Sequence, residues 1–360
     1  MLYELLYRLH AYYFPFNVFR YITFRTALAV ITAALFTFML APFVMKRLKR
    51  FHLTQQIRGD GPSTHAIKEG TPTMGGVIIL LGILLSVFLW MDLKNPYVWV
   101  MVIATTGFGA IGFADDYMKV SRRNDKGLRA CYKFGLQILL ATGISFFLYS
   151  NPLDPYSTKL SVPFFKNWLI DLGLFYIPFS VFVIVGSSNA VNLTDGIDGL
   201  AIGLVAIAVL AIAVLVYISG NAKLARYLQL LFLVKTGELT VFCGAMFGAA
   251  IGFLWYNAYP AEVFMGDVGS LSLGGALGTL AVITKHEIVL AIVGGIFVIE
   301  TISVIIQVGS FKLTGRRIFR MAPIHHHFEV KGWPEPKTVV RFWIVGIILA
   351  LLSLATLKLR

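Results

Sequence analysis

Three short stretches of this 360-residue sequence place aspartates beside amide, hydroxyl and basic side chains. Residues 113–119 read Phe-Ala-Asp-Asp-Tyr-Met-Lys, so Asp115 and Asp116 are adjacent. Residues 189–199 read Asn-Ala-Val-Asn-Leu-Thr-Asp-Gly-Ile-Asp-Gly, and residues 264–270 read Phe-Met-Gly-Asp-Val-Gly-Ser. Oxygen ligands of these kinds suit Mg²⁺, which usually completes its coordination shell with water and substrate phosphate. The three motifs are therefore candidates for a site that handles phosphates.

Each motif also has an ordinary structural interpretation. The adjacent aspartates could form a solvated helix end with an ion pair to Lys119, and this alternative carries equal weight. A plain turn needs one Asp-Gly pair, whereas Asp195 and Asp198 each precede a glycine, which favours a functional turn. Asp267 could simply cap the helix that follows it.

A fourth stretch is basic and contains three consecutive histidines, His325, His326 and His327. Zinc requires three or four converging ligands, and adjacent residues rarely converge on one ion. The preceding arginines, within residues 316–320, could instead grip phosphate oxygens in bidentate fashion. We therefore expect this segment to bind phosphates rather than zinc.

Composition shows what must position these motifs. Hydrophobic residues make up 58% of the chain and charged residues 14%, against ~25% charged in a typical soluble domain. Such a chain must have lipid as its solvent, and a spanning helix needs ~20 apolar residues. The sequence therefore predicts an all-α polytopic membrane protein with ten spanning helices and both termini on one side. The ten runs are 26–45, 71–91, 95–114, 134–153, 172–194, 199–222, 239–261, 268–284, 288–311 and 339–357.

Lysine and arginine set the expected orientation. The loops 46–70, 115–133 and 312–338 carry six each, and with Arg341 this face holds 19 of the 31 basic residues. The positive-inside rule places that face in the cytoplasm, so both termini are expected to be periplasmic. The four candidate motifs all lie on this cytoplasmic side.

Two further features concern the apolar runs themselves. Gly244, Gly248 and Gly252 recur every four residues, which indicates a close helix–helix contact. Glu300 interrupts the ninth run. An ionisable residue at membrane depth is a functional candidate, although burial against a neighbouring helix is an equal alternative.

Taken together, these residues predict a Mg²⁺-dependent phosphotransferase that joins a cytosolic phosphoester to a lipid. Basic residues around a carboxylate-bound metal can offset the charge that phosphoryl transfer places on oxygen. Membrane embedding is needed only if one substrate is a lipid. We expect residues 1–360 to form a single membrane-embedded transferase domain. Its active site is expected in the cytoplasmic loops 46–72, 115–133, 188–199, 257–270 and 309–338.

The motifs also resemble those of a known family. The chain is similar over essentially its whole length to the phospho-N-acetylmuramoyl-pentapeptide transferases, within the polyprenyl-phosphate N-acetylhexosamine-1-phosphate transferase superfamily. The residues that carry the resemblance are the three aspartate motifs, Gly70-Thr-Pro-Thr-Met-Gly-Gly76 and Arg320-Met-Ala-Pro-Ile-His-His-His327.

The resemblance implies a reaction and its partners. Phospho-MurNAc-pentapeptide is expected to pass from UDP-MurNAc-pentapeptide to undecaprenyl phosphate, giving UMP and lipid I, the first membrane intermediate of peptidoglycan synthesis. It also implies a Mg²⁺ cofactor, ten helices, a homodimer in membrane lipid, and a bacterial inner-membrane location with the active site facing the cytoplasm. No nucleic acid partner is expected.

Individual roles follow from the resemblance alone. Asp267 and Asp116 are the expected Mg²⁺ ligands, and Asp115 joins them as a third catalytic residue. The expected nucleotide contacts are Asn192, Asp195, Asp198 and Phe264. The residues expected to line the donor side are Lys68, His325, His326 and His327. Lys119 and Lys133 are expected to bind the lipid phosphate.

Two alternatives stay open at the level of sequence. One is a sister enzyme that transfers GlcNAc-1-phosphate from UDP-GlcNAc to the same lipid, although the Pro-Ile-His-His-His stretch resembles the muramoyl branch. The other is a membrane transporter. Transporters place their sites near the bilayer midplane, whereas the aspartate motifs here fall at predicted helix ends.

Overall fold

The structure is a computed structural model that describes residues 2–50, 70–121, 127–165 and 168–358. These residues are mostly helical, which confirms the predicted all-α class. The α-helices are α1 (Leu2–Arg8), α2 (Ile22–Arg50), α3 (Gly76–Trp90), α4 (Pro96–Ser121), α5 (Ala130–Ser150), α6 (Tyr176–Thr194), α7 (Leu200–Ser219), α8 (Ala222–Leu228), α9 (Leu239–Asn257), α10 (Gly266–Thr284), α11 (Glu287–Val293), α12 (Gly295–Thr314), α13 (Ile324–Val330) and α14 (Glu335–Ala355).

Smaller elements lie between and beside these helices. An antiparallel pair of short strands, β1 (Lys159–Ser161) and β2 (Leu169–Asp171), lies between α5 and α6. The sequence did not predict this pair, because the two strands are three residues each and show no alternating pattern. The 3-10 helices are Leu9–Ala11, Phe14–Arg20, Gly173–Phe175, Thr236–Glu238 and Thr356–Lys358.

Within the described ranges, nine helical segments are long and apolar enough to cross a membrane. The remaining predicted run became α3, which has 15 residues. At 1.5 Å per residue α3 rises only about 22 Å, less than the hydrocarbon thickness of about 30 Å. The run shortens because residues 71–75 are not helical, and Pro72 and Gly75 instead form backbone hydrogen bonds with Phe264 of another loop. The count of ten spans and the side of the termini stay predictions.

The ninth predicted run, 288–311, is not one helix. It divides at Gly294 into α11 and α12, and α12 continues beyond the run to Thr314. Gly294 and Gly295 are adjacent, and glycine pairs are common points of helix interruption because they add no side-chain support to either turn. The prediction of a single helix here was wrong, although α12 alone has the length of a span.

Helices α7, α9 and α10 form the buried centre of the bundle, and α10 is buried along nearly its whole length. Small residues allow the neighbouring helices to approach it. A Cβ atom at Gly76 of α3 would overlap the backbone of Gly269, and one at Gly112 of α4 would overlap the backbone of Asp267. Both approaches occur at the N-terminal end of α10, which brings α3 and α4 to the Asp267 motif.

The predicted glycine contact face is confirmed. Gly244, Gly248 and Gly252 of α9 pack against α2, and a Cβ at Gly252 would lie 2.6 Å from the carbonyl oxygen of Ala34. Close backbone approach of this kind is what small residues at four-residue spacing provide in membrane helices.

Candidate active site

Three carboxylates from two distant motifs meet at one point. Asp115 and Asp116 lie near the C-terminal end of α4, and Asp267 lies in the first turn of α10. One oxygen from each side chain lies within 4.8 Å of the other two. Asp115 and Asp116 are 2% and 4% exposed, so neither is a solvated helix end. The alternative that the adjacent aspartates are purely a surface feature is therefore wrong.

Two lysines lie among these carboxylates. The Nζ atom of Lys119 is 2.7 Å from Asp115 Oδ2, 2.8 Å from Asp267 Oδ2 and 3.6 Å from Asp116 Oδ1. The Nζ atom of Lys133 is 2.6 Å from Asp267 Oδ2 and 3.4 Å from Asp115 Oδ2. The predicted pairing of Lys119 within its own motif is confirmed, and Asp267 extends it across the bundle. With every group ionised, three negative charges face two positive ones.

Backbone amides fix the orientation of the two α4 carboxylates. The amide of Leu128 donates to Asp115 Oδ1 at 2.7 Å, and the amide of Val268 donates to Asp116 Oδ2 at 3.2 Å. Gly266 has a φ of +70°, and a Cβ there would press against Asp116 Oδ2. Only glycine combines this left-handed backbone with so close an approach.

Asn192 joins the Asp267 motif to α6. Its Nδ2 atom donates to Asp267 Oδ1 at 2.7 Å and to Ser270 Oγ at 2.8 Å. The N-cap residue of α10 is Met265 rather than Asp267, so the interpretation of Asp267 as the helix cap was wrong. Its first-turn position still places the carboxylate at the favourable end of the helix dipole. Ser270 belongs to the same motif, but its residue type alone did not indicate a role.

Phe264 is held by the backbone of the Gly70–Gly76 motif. Phe264 donates its amide to the carbonyl of Pro72 at 2.9 Å and accepts from the amide of Gly75 at 2.8 Å. Gly76 donates to Met265 in the same way at 2.8 Å. The Gly-Thr-Pro-Thr-Met-Gly-Gly stretch therefore holds the loop that precedes α10 through backbone hydrogen bonds, and Phe264 in that loop is half-buried.

The turn between α6 and α7 is tied to two other loops. Asp198 Oδ2 accepts from the amide of Ala261 at 3.0 Å, and the Asp198 amide donates to Glu335 Oε1 at 2.7 Å. Asn257 accepts from the amide of Gly199 at 3.2 Å and donates to the carbonyl of Val263. Sequence reasoning assigned no site role to Asn257 or Glu335, because their partners are distant in the chain.

Asp195 lies in the same turn, near the carboxylate cluster. Burial, together with the charges of Asp267, Asp116 and Asp198, raises the pKa of Asp195 to about 8. At neutral pH its carboxyl is therefore mostly protonated in the substrate-free protein and can donate a hydrogen bond. This is an electrostatic property that the sequence motif did not show.

The three histidines have three different environments. His325 is fully buried, and its ring lies directly against Gly196 of the α6–α7 turn. His326 Nδ1 is 2.6 Å from Glu329 Oε2, and His327 Nδ1 accepts from the amide of Arg320 at 3.1 Å. Burial, followed by the charges of nearby Lys331 and Arg320, lowers the pKa of His327.

Only part of the predicted histidine site is brought together. His325 and His326 both approach Gly196, whereas His327 contacts Phe319, Arg320 and Phe328 of its own segment. Among the described residues, the one group of three potential metal-ligating side chains is Asp115, Asp116 and Asp267, so the histidines form no zinc-like cluster there. Lys68, predicted on the donor side, lies outside the described residues.

The carboxylate cluster fits a hard divalent cation. Three carboxylate side chains converge there, and oxygen ligands are the donor set that Mg²⁺ prefers. A divalent cation held by these carboxylates, with two lysines at the same oxygens, would offset the charge on phosphate oxygens during phosphoryl transfer, and the site lies at the end of a membrane bundle. The fold and site thus define a membrane-embedded transferase.

Comparisons with known proteins agree with this class and narrow it. Residues 98–285 match the profile of glycosyl transferase family 4, and residues 68–80 match the phospho-N-acetylmuramoyl-pentapeptide-transferase signature 1. Proteins named phospho-N-acetylmuramoyl-pentapeptide-transferase from Thermodesulfovibrio yellowstonii, Citrifermentans bemidjiense and Syntrophus aciditrophicus are 68%, 59% and 56% identical, each over 100% of both chains. The chain belongs to the phospho-N-acetylmuramoyl-pentapeptide transferase family.

Proposed function

We propose that this protein transfers phospho-MurNAc-pentapeptide from UDP-MurNAc-pentapeptide to undecaprenyl phosphate, releasing UMP and forming lipid I. The observation that carries the proposal is the cluster of three carboxylates and two lysines at the end of a membrane bundle. Anionic diphosphate and lipid phosphate substrates both need positive charge at the reacting oxygens, and full-length relatives carry the corresponding name.

Mg²⁺ would be held by Asp267 and Asp116 in this proposal. Two carboxylates and substrate phosphate are a common Mg²⁺ arrangement, since this ion keeps part of its water shell. When bound, the metal would supply positive charge to the diphosphate of the donor and to the leaving UMP. The support is the converging oxygens of Asp116 and Asp267 described above.

Lys119 and Lys133 are proposed to bind the acceptor phosphate. Their Nζ atoms each contact both Asp115 and Asp267, so a phosphate bound by these lysines would lie beside Asp115. Asp115 is then placed to accept a proton from that phosphate as it attacks. A phosphate monoester has a second pKa near ~6, so this general base has only a modest task at neutral pH.

The donor is proposed to bind across the α6–α7 turn. Asp195 and Asp198 lie in that turn, and His325 and His326 cover Gly196 between them. Phe264 offers a half-buried aromatic face that can stack on a uracil ring. Asn192 connects this region directly to Asp267, which would align the donor diphosphate with the carboxylate cluster. Lys68 and His327 complete the proposed donor side.

The membrane location, the orientation and the oligomeric state of the protein are also part of the proposal. Nine apolar helices in the described part of the chain make this a multi-pass membrane protein. We propose a bacterial inner-membrane location with the site facing the cytoplasm, because the nucleotide donor is cytosolic and the basic loops lie on that face. A homodimer, suggested by family resemblance, and the single-domain organisation of residues 1–360 belong to the same proposal.

Neither alternative from the sequence is supported. The relatives are named for the muramoyl reaction rather than for transfer of GlcNAc-1-phosphate. The transporter alternative required a polar site at membrane depth, and the charged residue in the ninth run, Glu300, is fully buried against His325. The other charged groups of the site lie at the ends of α4, α5 and α10.

Release of UMP tests the proposed function. Purified protein in detergent with Mg²⁺ should release UMP from UDP-MurNAc-pentapeptide only when undecaprenyl phosphate is present. UDP-GlcNAc in place of the muramoyl donor is the matched control and should give little UMP. Equal release from both donors, or release that does not need the lipid, would contradict the proposal.

A further inference from the structure

We infer that Glu300 is a positioning residue for donor binding, a role that rests on the proposed function. Glu300 lies in α12 and His325 lies in α13, so the two side chains belong to separate helices. Glu300 influences donor binding only by orienting His325, and its own side chain does not touch substrate. Its effect should therefore appear in donor binding and should require the histidine ring.

Burial and distance carry the inference first. Both side chains are 0% exposed, and His325 Nδ1 lies 3.1 Å from Glu300 Oε2. Across the described part of the chain, neither carboxylate oxygen of Glu300 and neither ring nitrogen of His325 has an aligned hydrogen bond. Each of these side chains is therefore the ion-pair partner of the other. Burying a carboxylate in an apolar helix is energetically unfavourable, so the interaction with His325 offsets part of the cost of burying Glu300.

The contact with Gly196 then connects the pair to the donor site. The His325 ring lies on Gly196 with its Nε2 edge, on the side opposite the Glu300 contact at Nδ1. The negative charge of a carboxylate 3.1 Å from Nδ1 favours a proton on that nitrogen, which leaves Nε2 as the acceptor of the ring. Glu300 thereby determines how the Nε2 edge of His325 is presented to the turn that contains Asp195 and Asp198.

A purely structural role does not account for a glutamate at position 300. An apolar residue could fill the Glu300 position within α12 at lower cost, because a buried charge destabilises unless its partner is well placed. The neighbouring histidine, His326, already has its own carboxylate, Glu329, at 2.6 Å. Two adjacent histidines each beside a glutamate, both facing Gly196, are the arrangement expected of oriented binding groups.

Steady-state kinetics of Glu300→Gln test the inference. Loss of the carboxylate partner of a metal-bound histidine costs about 10–100-fold, and His325 has no metal to orient, so we expect the low end, about 10-fold, in the KM for UDP-MurNAc-pentapeptide. The KM for undecaprenyl phosphate should stay unchanged. Glu287→Gln is the matched control, since Glu287 is also a buried glutamate but lies at the opposite end of α10 from Asp267. It should leave both KM values unchanged.

A double-mutant cycle with His325→Ala separates positioning from other effects. Residues that act through one another are non-additive. Adding Glu300→Gln to His325→Ala should therefore raise the donor KM no further. Glu300→Asp keeps the charge but withdraws the carboxylate by one methylene, and it provides a second variant if Glu300→Gln does not fold. Glu300→Asp should likewise cause no further increase in the donor KM when His325 is already alanine.

The outcomes distinguish the inference from the proposed function. Wild-type protein that releases no UMP would contradict the proposed function. If the wild-type protein is active, three results would contradict the role of Glu300 while leaving the proposed function intact. The Glu300 variants could bind donor normally, their donor KM could match that of the Glu287→Gln control, or they could raise the donor KM equally with and without His325. A donor-specific KM increase that disappears in the His325→Ala background is the result we expect.

Discussion

Replacing Asp267 with asparagine is the perturbation that most directly probes the carboxylate cluster. The carboxylate of Asp267 accepts hydrogen bonds from Lys119 at 2.8 Å, Lys133 at 2.6 Å and Asn192 at 2.7 Å. Asparagine keeps the size of the side chain but removes its charge. It can no longer hold both lysines, and it is a poor ligand for Mg²⁺.

The expected magnitude follows from those contacts. Hydrogen bonds to charged groups contribute about 1.5–3 kcal/mol each, so loss of the two lysine contacts corresponds to about 3–6 kcal/mol. At 1.36 kcal/mol per factor of ten, this is a fall of about 10²–10⁴-fold in kcat if the contacts are made in the transition state. A lost metal ligand would push the result toward the upper end.

The assay is initial-rate UMP release with both substrates saturating and Mg²⁺ varied. Asp171→Asn is the control, because Asp171 lies in the exposed strand β2, far along the chain from the cluster. Thermal unfolding of both variants reports whether the fold is intact. Near-normal turnover by the Asp267 variant at ordinary Mg²⁺ would refute the assignment of Asp267 as a metal ligand.

Four other results are expected. Reporters fused after Asn124 and Asn221 should be cytoplasmic and external respectively, and the reverse pattern would overturn the orientation. Purified protein should carry no stoichiometric zinc, and alanine at any of the three histidines should weaken donor binding; zinc near one per chain would oppose this. The activity ratio of wild type to Asp115→Asn, about 10²-fold at neutral pH, should shrink toward pH 9.5 as the acceptor ionises unaided, whereas a flat ratio would exclude a pure base role. In Mg²⁺-free buffer, donor affinity should fall as pH rises through about 8, because Asp195 gains a negative charge there, while Asp195→Asn should show no such fall in titration calorimetry.

Much of the fold was predictable because lipid imposes a simple rule on composition. Long apolar runs between charged loops located eight of the nine described spans, with each end within seven residues of the observed one. The errors have local causes. The Gly294–Gly295 pair divides a run that hydropathy reads as continuous, and α3 begins late because its first residues pair with the loop at Phe264.

The candidate site was predictable in its parts but not in its contacts. The aspartate motifs could be named from residue type, since carboxylate, amide and hydroxyl oxygens in short stretches suit Mg²⁺. Their direct convergence depends on glycines that let α3 and α4 approach α10, and no short sequence window contains that information. Asn257 was missed for the same reason, because its role appears only where the loops meet.

Glu300 shows where sequence reasoning had to stop. A glutamate in an apolar run could be functional or simply buried, and both alternatives had equal weight before the structure. The structure resolves the burial and supplies the partner, His325, which approaches from a helix that follows ten residues after α12 ends. Function then follows from what the partner touches rather than from the glutamate itself.

The fate of the donor phosphates tests the central claim most directly. A UDP-MurNAc-pentapeptide donor labelled with ³²P in the phosphate next to the sugar should be incubated with the protein, Mg²⁺ and undecaprenyl phosphate. Transfer of the phospho-sugar predicts that the label moves into the lipid fraction while unlabelled UMP appears in equal amount. Label that stays in the aqueous phase while UMP is released would contradict the account.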